Sequence, residues 1–426
     1  MKKLLIAATV VLVSSSPLVL LPMEKELTLT PKQVQKLTQN TTASLTQSKN
    51  PRTITTILTY KNKDLTEFKT SIQADTKLSI SAIFWNAKGE PVFQLQDGDY
   101  VAASQKSIVD DSIYNQKPVD MTLWTKDGLT VYKEPYVLGT EKADSKLASF
   151  KPIKVSQAAQ THAGTYYLVD GEGWINASDL STTDNRIEAV QKVLNEKYNN
   201  QERISVYVKQ LDTDRVAAIN DEKSMYAASV AKLGVLYYAQ ERLSQKKLSL
   251  SDEYQYTSAV NGFPGAYDPD GSGKISKMPD DKNYSLENLL KAVAQNSDNV
   301  ATNILGYYVT NQYDKAFQKS VDKAAATSWN MDKKELTARA AGTLMEAVYR
   351  QNGDIITYLS STDYDGERIS KNIDVPVAHK IGDAYDFKHD VAIVYADSPF
   401  ILSIFTDKEG YDKITSIADD VYGILK

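Results

Sequence analysis

The feature that most constrains this chain is a serine and a lysine, Ser229 and Lys232, three residues apart at the head of an apolar segment. Small residues lead into the serine, and residues 233–239 continue with a helical apolar pattern. Side chains three apart on a helix lie on one face, so the hydroxyl and the amine can share a proton. A buried polar pair is costly unless it is hydrogen-bonded or catalytic. The pair therefore predicts a nucleophilic serine.

A second polar cluster follows 68 residues later, since 297 − 229 = 68. Ser297, Asp298 and Asn299 stand between two apolar periodic runs, residues 286–293 and 300–309. Polar residues between two such runs indicate a corner between two helices.

A third element, Lys380 and Gly382, ends an extended run at residues 375–378 and is followed by strand patterns at 391–395 and 400–405. We therefore expect the lysine on the edge of a sheet. The glycine would let a ligand approach the backbone closely.

In this order and at these distances, the three elements resemble the penicillin-recognising serine hydrolases, and among them the class A β-lactamase group. The resemblance covers about residues 185–426, with a leading helix near 185–198 and a hairpin over 204–219. It implies an α/β (α+β) domain in which an antiparallel sheet is flanked by helices.

The resemblance also implies a role for each motif residue in an acyl-enzyme mechanism. Ser229 would attack a carbonyl group, and Lys232, neutral at that moment, would take its proton. Ser297 would relay a proton to the leaving nitrogen, and Asn299 would hold the substrate amide and orient Lys232. Lys380 would supply positive charge for a substrate carboxylate.

Three further residues complete this expected site. The backbone N–H groups of Ser229 and Asp383, next to Gly382, would form the oxyanion hole. Asp298 is expected to point inward and fix the corner, which is a structural role.

Two positions depart from the family pattern. Ile381 stands where the family usually carries a threonine or serine that hydrogen-bonds the substrate carboxylate. No Glu-x-x-Leu-Asn loop follows Asn299, although Glu335 stands near the place of the glutamate that activates deacylating water; it could equally be a solvated carboxylate at a helix start. We therefore expect acylation with slow turnover, as in a penicillin-binding protein.

Composition excludes several other chemistries. The chain of 426 residues has no cysteine, so disulfides and thiol catalysis are ruled out. Its three histidines, at 162, 379 and 389, do not form a zinc motif, although His389 and Asp390 imitate part of a triad. The net charge of −5, with interspersed signs, offers no basic field for a nucleic acid. We expect no metal and no cofactor.

One segment imitates half of a calcium loop. Asp268, Asp270 and Ser272 have the spacing of its first ligands, but Pro279 stands at the twelfth position, where a glutamate belongs. We interpret the segment as a turn over the mouth of the site.

The first 183 residues predict export and wall attachment. Two lysines and an apolar run at residues 4–13 indicate a signal peptide or membrane anchor over 1–27. We expect a polar spacer over 28–77, a degenerate GW-like β module over 78–120, a second over 121–183 and the hydrolase over 184–426. Residues 173–180, around Trp174, resemble GW-type repeats, small Src-homology-3-like barrels that bind wall polymers such as teichoic acids. Alternatively, Trp174, Tyr166 and Tyr167 only fill a barrel core.

These expectations place an enzyme in the extracellular cell wall or membrane zone of a Gram-positive-type envelope. Its substrate would be a D-alanyl group in peptidoglycan or on teichoic acid, with β-lactams as further ligands. Two alternatives stay open: an active class A-type β-lactamase, and a wall-binding scaffold without catalysis.

Overall fold

The computed structural model describes residues 50–426, and the chain divides into two compact units after Thr182. The predicted signal peptide or anchor lies outside the described residues. Within residues 50–426, no helix has the length and apolar character that crossing a membrane requires.

The first unit begins with a small antiparallel sheet in the order β3-β2-β6-β5-β4, beside a separate pair, β1 with β7. Ile57, Phe93, Val101 and Ile108 form its core because alternate side chains of these strands face inward. The strands are β1 Pro51–Thr53, β2 Ile57–Tyr60, β3 Phe68–Ile72, β4 Ile80–Trp85, β5 Pro91–Leu95, β6 Tyr100–Ala102 and β7 Ile108–Asp110.

Strands β1, β2 and β3 correct the predicted polar spacer over 28–77 in its described part, since all three lie between residues 51 and 72. The prediction failed because β3 is an edge strand whose side chains are nearly all exposed, so its sequence is polar. Only Ile57 and Leu78 bring buried apolar side chains from residues 51–78 to the core.

A second sheet of the first unit has the order β13-β8-β10-β11-β12-β9. Strand β8 runs without a break through residues 120 and 121, so the predicted module boundary between them is wrong. Trp174 is only 4% exposed and packs with Tyr166 and Ala159, as expected if it fills the core; Tyr167 is only partly buried. The GW-type assignment stays a prediction. The strands are β8 Asn115–Thr125, β9 Val131–Tyr132, β10 Pro152–Thr161, β11 Gly164–Val169, β12 Gly173–Asn176 and β13 Leu180–Ser181.

The second unit is built on a five-stranded antiparallel sheet in the order β15-β14-β22-β21-β20. The hairpin predicted over 204–219 forms two of its strands. The strands are β14 Ile204–Gln210, β15 Val216–Ile219, β20 Val377–Ala384, β21 Phe387–Val394 and β22 Phe400–Asp407. Two short pairs accompany the sheet: β16 Ser224–Tyr226 with β19 Glu335–Thr337, and β17 Glu253–Gln255 with β18 Asn283–Ser285.

Helices cover both faces of this sheet, so the predicted antiparallel sheet flanked by helices is confirmed. The first and last helices pack on one face, where alternate residues such as Val206 and Ile404 are buried, and the others pack on the opposite face around Tyr207 and Ile401. The helices are α1 Arg186–Lys197, α2 Leu233–Ser244, α3 Leu286–Asn296, α4 Asn299–Tyr308, α5 Lys315–Ala325, α6 Ala338–Gln351, α7 Asp354–Leu359 and α8 Tyr411–Leu425.

Candidate active site

Ser229 and Lys232 lie in a short 3₁₀-helix, Ala228–Lys232, that leads directly into α2. Residues three apart eclipse one another in a 3₁₀-helix, so the pair shares one face, as the spacing predicts. Ala228 has a left-handed backbone with φ +49°, and its carbonyl accepts a 3.2 Å hydrogen bond from the Tyr267 hydroxyl. Local strain of this kind persists only where the surroundings enforce it. The surroundings therefore hold the serine in a fixed turn.

The Lys232 side chain is fully buried and its nitrogen donates two short hydrogen bonds. Its acceptors are the Ser297 carbonyl and the Asn299 side-chain oxygen, each at 2.6 Å. Asn299 in turn donates through Nδ2 to the Asp268 carbonyl at 2.7 Å, which fixes the orientation of its amide. Burial, and secondly the Lys380 charge, hold the pKa of Lys232 well below its usual value. A neutral amine donates its two hydrogens to these acceptors and keeps its lone pair for a proton.

Lys380 is equally buried and joins the same cluster from strand β20. Its ammonium group donates to the Ser297 hydroxyl at 2.7 Å and to the Ile381 carbonyl at 3.1 Å. Burial lowers the pKa of Lys380 to about 7, and nearby Arg368 acts in the same direction. The Ser297 hydroxyl also lies 3.5 Å from the Lys232 nitrogen, so it stands between the two lysines.

The predicted corner between helices is present, and Asp298 caps its second helix. Ser297 ends α3 in the left-handed conformation with φ +55°, and Asp298 accepts a 2.9 Å hydrogen bond from the Ala301 N–H at the start of α4. The other oxygen of this buried carboxylate accepts from the backbone N–H groups of Lys274 and Ile275. Asp298 therefore ties the corner to the loop before it.

That loop contains the segment that imitates a calcium site. Asp268 closes a local turn by accepting the Asp270 N–H at 3.0 Å, and its carbonyl holds Asn299. Gly273 has φ +123°, and a Cβ atom there would lie 2.2 Å from the Asp298 carboxyl carbon. Within the described residues, no group of three or more acidic or histidine side chains is arranged to hold a metal ion. The segment serves as a wall of the Ser297 corner.

Gly382 serves the packing of the protein itself, which the sequence did not indicate, and its role in admitting a ligand stays a prediction. A Cβ atom at this position would lie 2.6 Å from the Ala227 carbonyl and 3.0 Å from a methyl of Val230. The edge strand β20 thus reaches the nucleophile turn only because residue 382 has no side chain. Ala384 and Phe387 form the last pair of the β20–β21 hairpin, with a two-residue turn between them. Hydrogen-bonded and non-hydrogen-bonded pairs alternate along an antiparallel ladder, so the next pair, Asp383 with Lys388, is not hydrogen-bonded. The N–H of Asp383 therefore faces away from β21, on the open edge of the sheet.

The Asp383 side chain has partners that the sequence did not indicate. One of its oxygens accepts from Arg368 Nη2 at 2.8 Å and from the Tyr411 hydroxyl, and the other accepts from Lys388. Arg368 is 1% exposed, and its guanidinium carbon stacks 3.8 Å from the centroid of the Tyr411 ring. Nothing in the motif pattern pointed to Arg368, because its partner lies on a separate element.

Lys334 is a second residue that sequence reasoning missed. It is 6% exposed, donates to the Gly265 carbonyl at 3.0 Å, and lies 4.5 Å from the centroid of the Tyr267 ring, the same distance as Lys232. Burial lowers the pKa of Lys334, and its charge contributes to the lowered pKa of Lys232. Glu335, the carboxylate considered for deacylation, is exposed on β19.

His389 and Asp390 only imitate part of a triad in the sequence, because neighbouring strand residues point to opposite faces. Asp390 instead holds His379 through Nδ1 at 3.0 Å, and Asp365 lies 3.1 Å from its other nitrogen. Burial alone would lower the pKa of His379, but the two carboxylates raise it to about 9. The third histidine, His162, lies exposed in the first unit.

His389 bonds only to main-chain atoms and stays neutral. Its Nδ1 accepts from the Thr406 N–H at 3.1 Å, so its Nε2 carries the hydrogen that it donates to the Tyr226 carbonyl at 2.9 Å. Burial lowers the pKa of His389 to about 4.

The fold, together with the buried turn of Ser229 and Lys232 beside the Ser297 corner, defines a serine hydrolase. The chain belongs to the beta-lactamase enzyme family, whose model matches residues 185–425. Residues 41–109 match a domain of unknown function, DUF5776. No curated protein sequence matches the chain at a significant level.

Solved structures similar to this chain include PBP-A, with 15% identity, a TM-score of 0.47, and coverage of 56% of this chain and 95% of that one. TLA-1 extended spectrum beta-lactamase has 18% identity and a TM-score of 0.47, covering 57% and 99% of the two chains. A beta-lactamase from Sphaerobacter thermophilus has 15% identity and a TM-score of 0.45, covering 56% and 94%.

Proposed function

We propose that this chain is a surface-held hydrolase that forms an acyl-enzyme on Ser229 with D-alanyl groups of the cell wall, in peptidoglycan stem peptides or as teichoic acid esters. The observation that carries the proposal is the buried amine of Lys232, whose two donated hydrogen bonds leave a lone pair for the serine proton. The extracellular location rests on the basic and apolar start of the sequence.

In the proposed acylation step, each of these side chains has one role. The Ser229 oxygen bonds to the substrate carbonyl carbon while Lys232 accepts the hydroxyl proton. The carbonyl oxygen becomes an oxyanion that the N–H groups of Ser229 and Asp383 receive. When the bond to the leaving group breaks, the Ser297 hydroxyl protonates that group and regains a proton from Lys380, its 2.7 Å donor.

Deacylation is the slow half of the proposed reaction. The carboxylate that the sequence offered for activating water, Glu335, is exposed, and a buried lysine, Lys334, precedes it. The acyl-enzyme should therefore persist, and β-lactams should act as long-lived acylating ligands.

Intact-protein mass spectrometry after incubation with benzylpenicillin tests the proposal, with a D-alanyl ester as a second acyl donor. We expect a persistent adduct on the parent and on Ser244→Ala, and no adduct on Ser229→Ala. Ser244 is a control serine at the end of α2, the helix that follows the nucleophile turn. Within the described residues the Ser229 hydroxyl forms no hydrogen bond, so its removal should leave the melting temperature nearly unchanged.

Three results would count against this function. Equal labelling of Ser229→Ala would place the nucleophile elsewhere, and no adduct with either donor would favour a wall-binding scaffold. A transient penicillin adduct with rapid product release would identify a working β-lactamase.

A further inference from the structure

A cleft of about 700 Å³ opens beside Ile381 in the second unit. Its lining includes three carboxylates, Asp363, Glu367 and Asp383, and one guanidinium, that of Arg368. Carboxylates thus outnumber cations three to one on its walls. Each of these carboxylates already has a cationic partner: Asp363 binds Lys274 at 2.7 Å, and Glu367 and Asp383 bind Arg368. A substrate carboxylate entering this cleft has to compete with them for the cations.

Arg368, the only cation among those lining residues, is already occupied by the protein. Its Nη2 donates to Asp383 at 2.8 Å, its Nη1 donates to Glu367, and its face stacks on Tyr411. This guanidinium binds carboxylates through Nη1 and Nη2 and packs on an aromatic ring, and its Nε, which has no partner among the described residues, is buried away from solvent. At 1% exposure, it is also closed to solvent.

Lys388 on β21 and Lys380 on β20 also have partners in the protein. Lys388 donates to the other Asp383 oxygen and to the Tyr385 carbonyl. Lys380 donates to the Ser297 hydroxyl and the Ile381 carbonyl. The Ile381 side chain has no hydroxyl to donate.

We propose that Asp383 is a specificity-determining residue whose carboxylate occupies the cations that a substrate carboxylate would otherwise use. The inference rests on the proposed function and narrows its substrate class. The acyl donor of Ser229 has no free carboxylate beside its scissile carbonyl, and an aminoacyl ester, with an ammonium group and no carboxylate, meets that condition. A stem peptide ending in a free carboxylate does not.

Benzylpenicillin and its methyl ester form a matched pair of probes, since they share the β-lactam and differ only in a capped carboxylate. Stopped-flow or mass-spectrometric acylation rates on the parent should be at least as high for the methyl ester as for the acid. This measurement needs no variant and is therefore independent of any folding defect.

The charge is then removed in Asp383→Asn, which keeps the backbone N–H and an oxygen acceptor. We expect the ratio of acid to ester acylation rates to rise about tenfold, because Arg368 and Lys388 become available for a charge-assisted hydrogen bond. Asp386→Asn, on the same hairpin and exposed, removes an equal charge and should leave the ratio unchanged.

A parent that acylates faster with the acid than with the ester would overturn the inference while leaving the proposed function standing. An unchanged ratio in Asp383→Asn, or an equal rise in Asp386→Asn, would do the same. If Ser229 accepts neither probe nor a D-alanyl ester, the proposed function itself fails, and the inference fails with it.

Discussion

The ammonium group of Lys380 donates a 2.7 Å hydrogen bond to the hydroxyl of Ser297. Because the same hydroxyl lies 3.5 Å from the nitrogen of Lys232, one oxygen connects two buried lysines. Two positive charges so placed disfavour each other, and the charge of Lys380 adds to burial in lowering the pKa of Lys232. The site therefore favours one charged lysine and one neutral lysine, which is the combination that the proposed mechanism uses.

The rate of acylation should depend on pH in a bell shape. It should rise as Lys232 loses its proton, and fall above about pH 7, where Lys380 loses the charge that supports Ser297. Acylation rates of the parent measured across this range give the profile. In Lys380→Arg the guanidinium stays charged, so the alkaline decline should disappear. A decline that persists in this variant would assign it to another group.

Replacement of Lys334 by methionine should move the acidic limb of that profile to higher pH. Its ammonium group and that of Lys232 lie equally far from the Tyr267 ring, and removing one charge lets the pKa of the other rise. The shift should be modest, because burial and the charge of Lys380 act more strongly on the pKa of Lys232 than Lys334 does. The control is Lys333→Met, which removes a neighbouring exposed charge and should leave the limb in place.

A hydroxyl introduced by Ile381→Thr should increase the rate of acylation by benzylpenicillin. Ile381 is 4% exposed, and a threonine there can donate to the carboxylate, which is worth about tenfold in rate. Ile381→Val has the same branched shape without the hydroxyl and separates this effect from altered packing. Equal rates in the two variants would mean that carboxylate recognition lies elsewhere.

Adding one methyl group at Gly382 should disturb the nucleophile turn. The new Cβ atom would lie 2.6 Å from the Ala227 carbonyl, so β20 or the turn has to move. We expect Gly382→Ala to lower stability by about 1–3 kcal/mol and to reduce acylation more than tenfold. Gly423→Ala, in helix α8 with open space around it, should instead be neutral or stabilising. Thermal melts and acylation rates on both variants provide the comparison.

The sequence predicted the parts of the site that local spacing encodes. Three local patterns each fix a local geometry: a serine and a lysine three residues apart, a polar triplet between two apolar runs, and a lysine and a glycine at the end of a strand. The structure brings all three together. The pairing of Arg368 with Asp383, and the approach of Lys334 to Tyr267, depend on how distant segments pack. Spacing along the chain carries no signal for such contacts.

Strand prediction failed in the first unit for a related reason. Residues 51–72 form three strands, yet nearly all side chains of β3 are exposed, and Ile57 is the one residue of these strands that brings a buried apolar side chain to the core. A polar edge strand and a polar linker have similar compositions, and pairing with a neighbouring strand is what separates them.

His389 gives the site a support that does not titrate with its chemistry. Its two ring nitrogens join Thr406 of the sheet to Tyr226, just before the turn that carries Ser229. Since its pKa lies near 4, the imidazole stays uncharged throughout the interval in which Lys380 gains or loses a proton. Protonation of the two lysines thus leaves unchanged the hydrogen bonds through which His389 holds the main chain before Ser229. A change in pH can therefore alter reactivity without altering the geometry of the site.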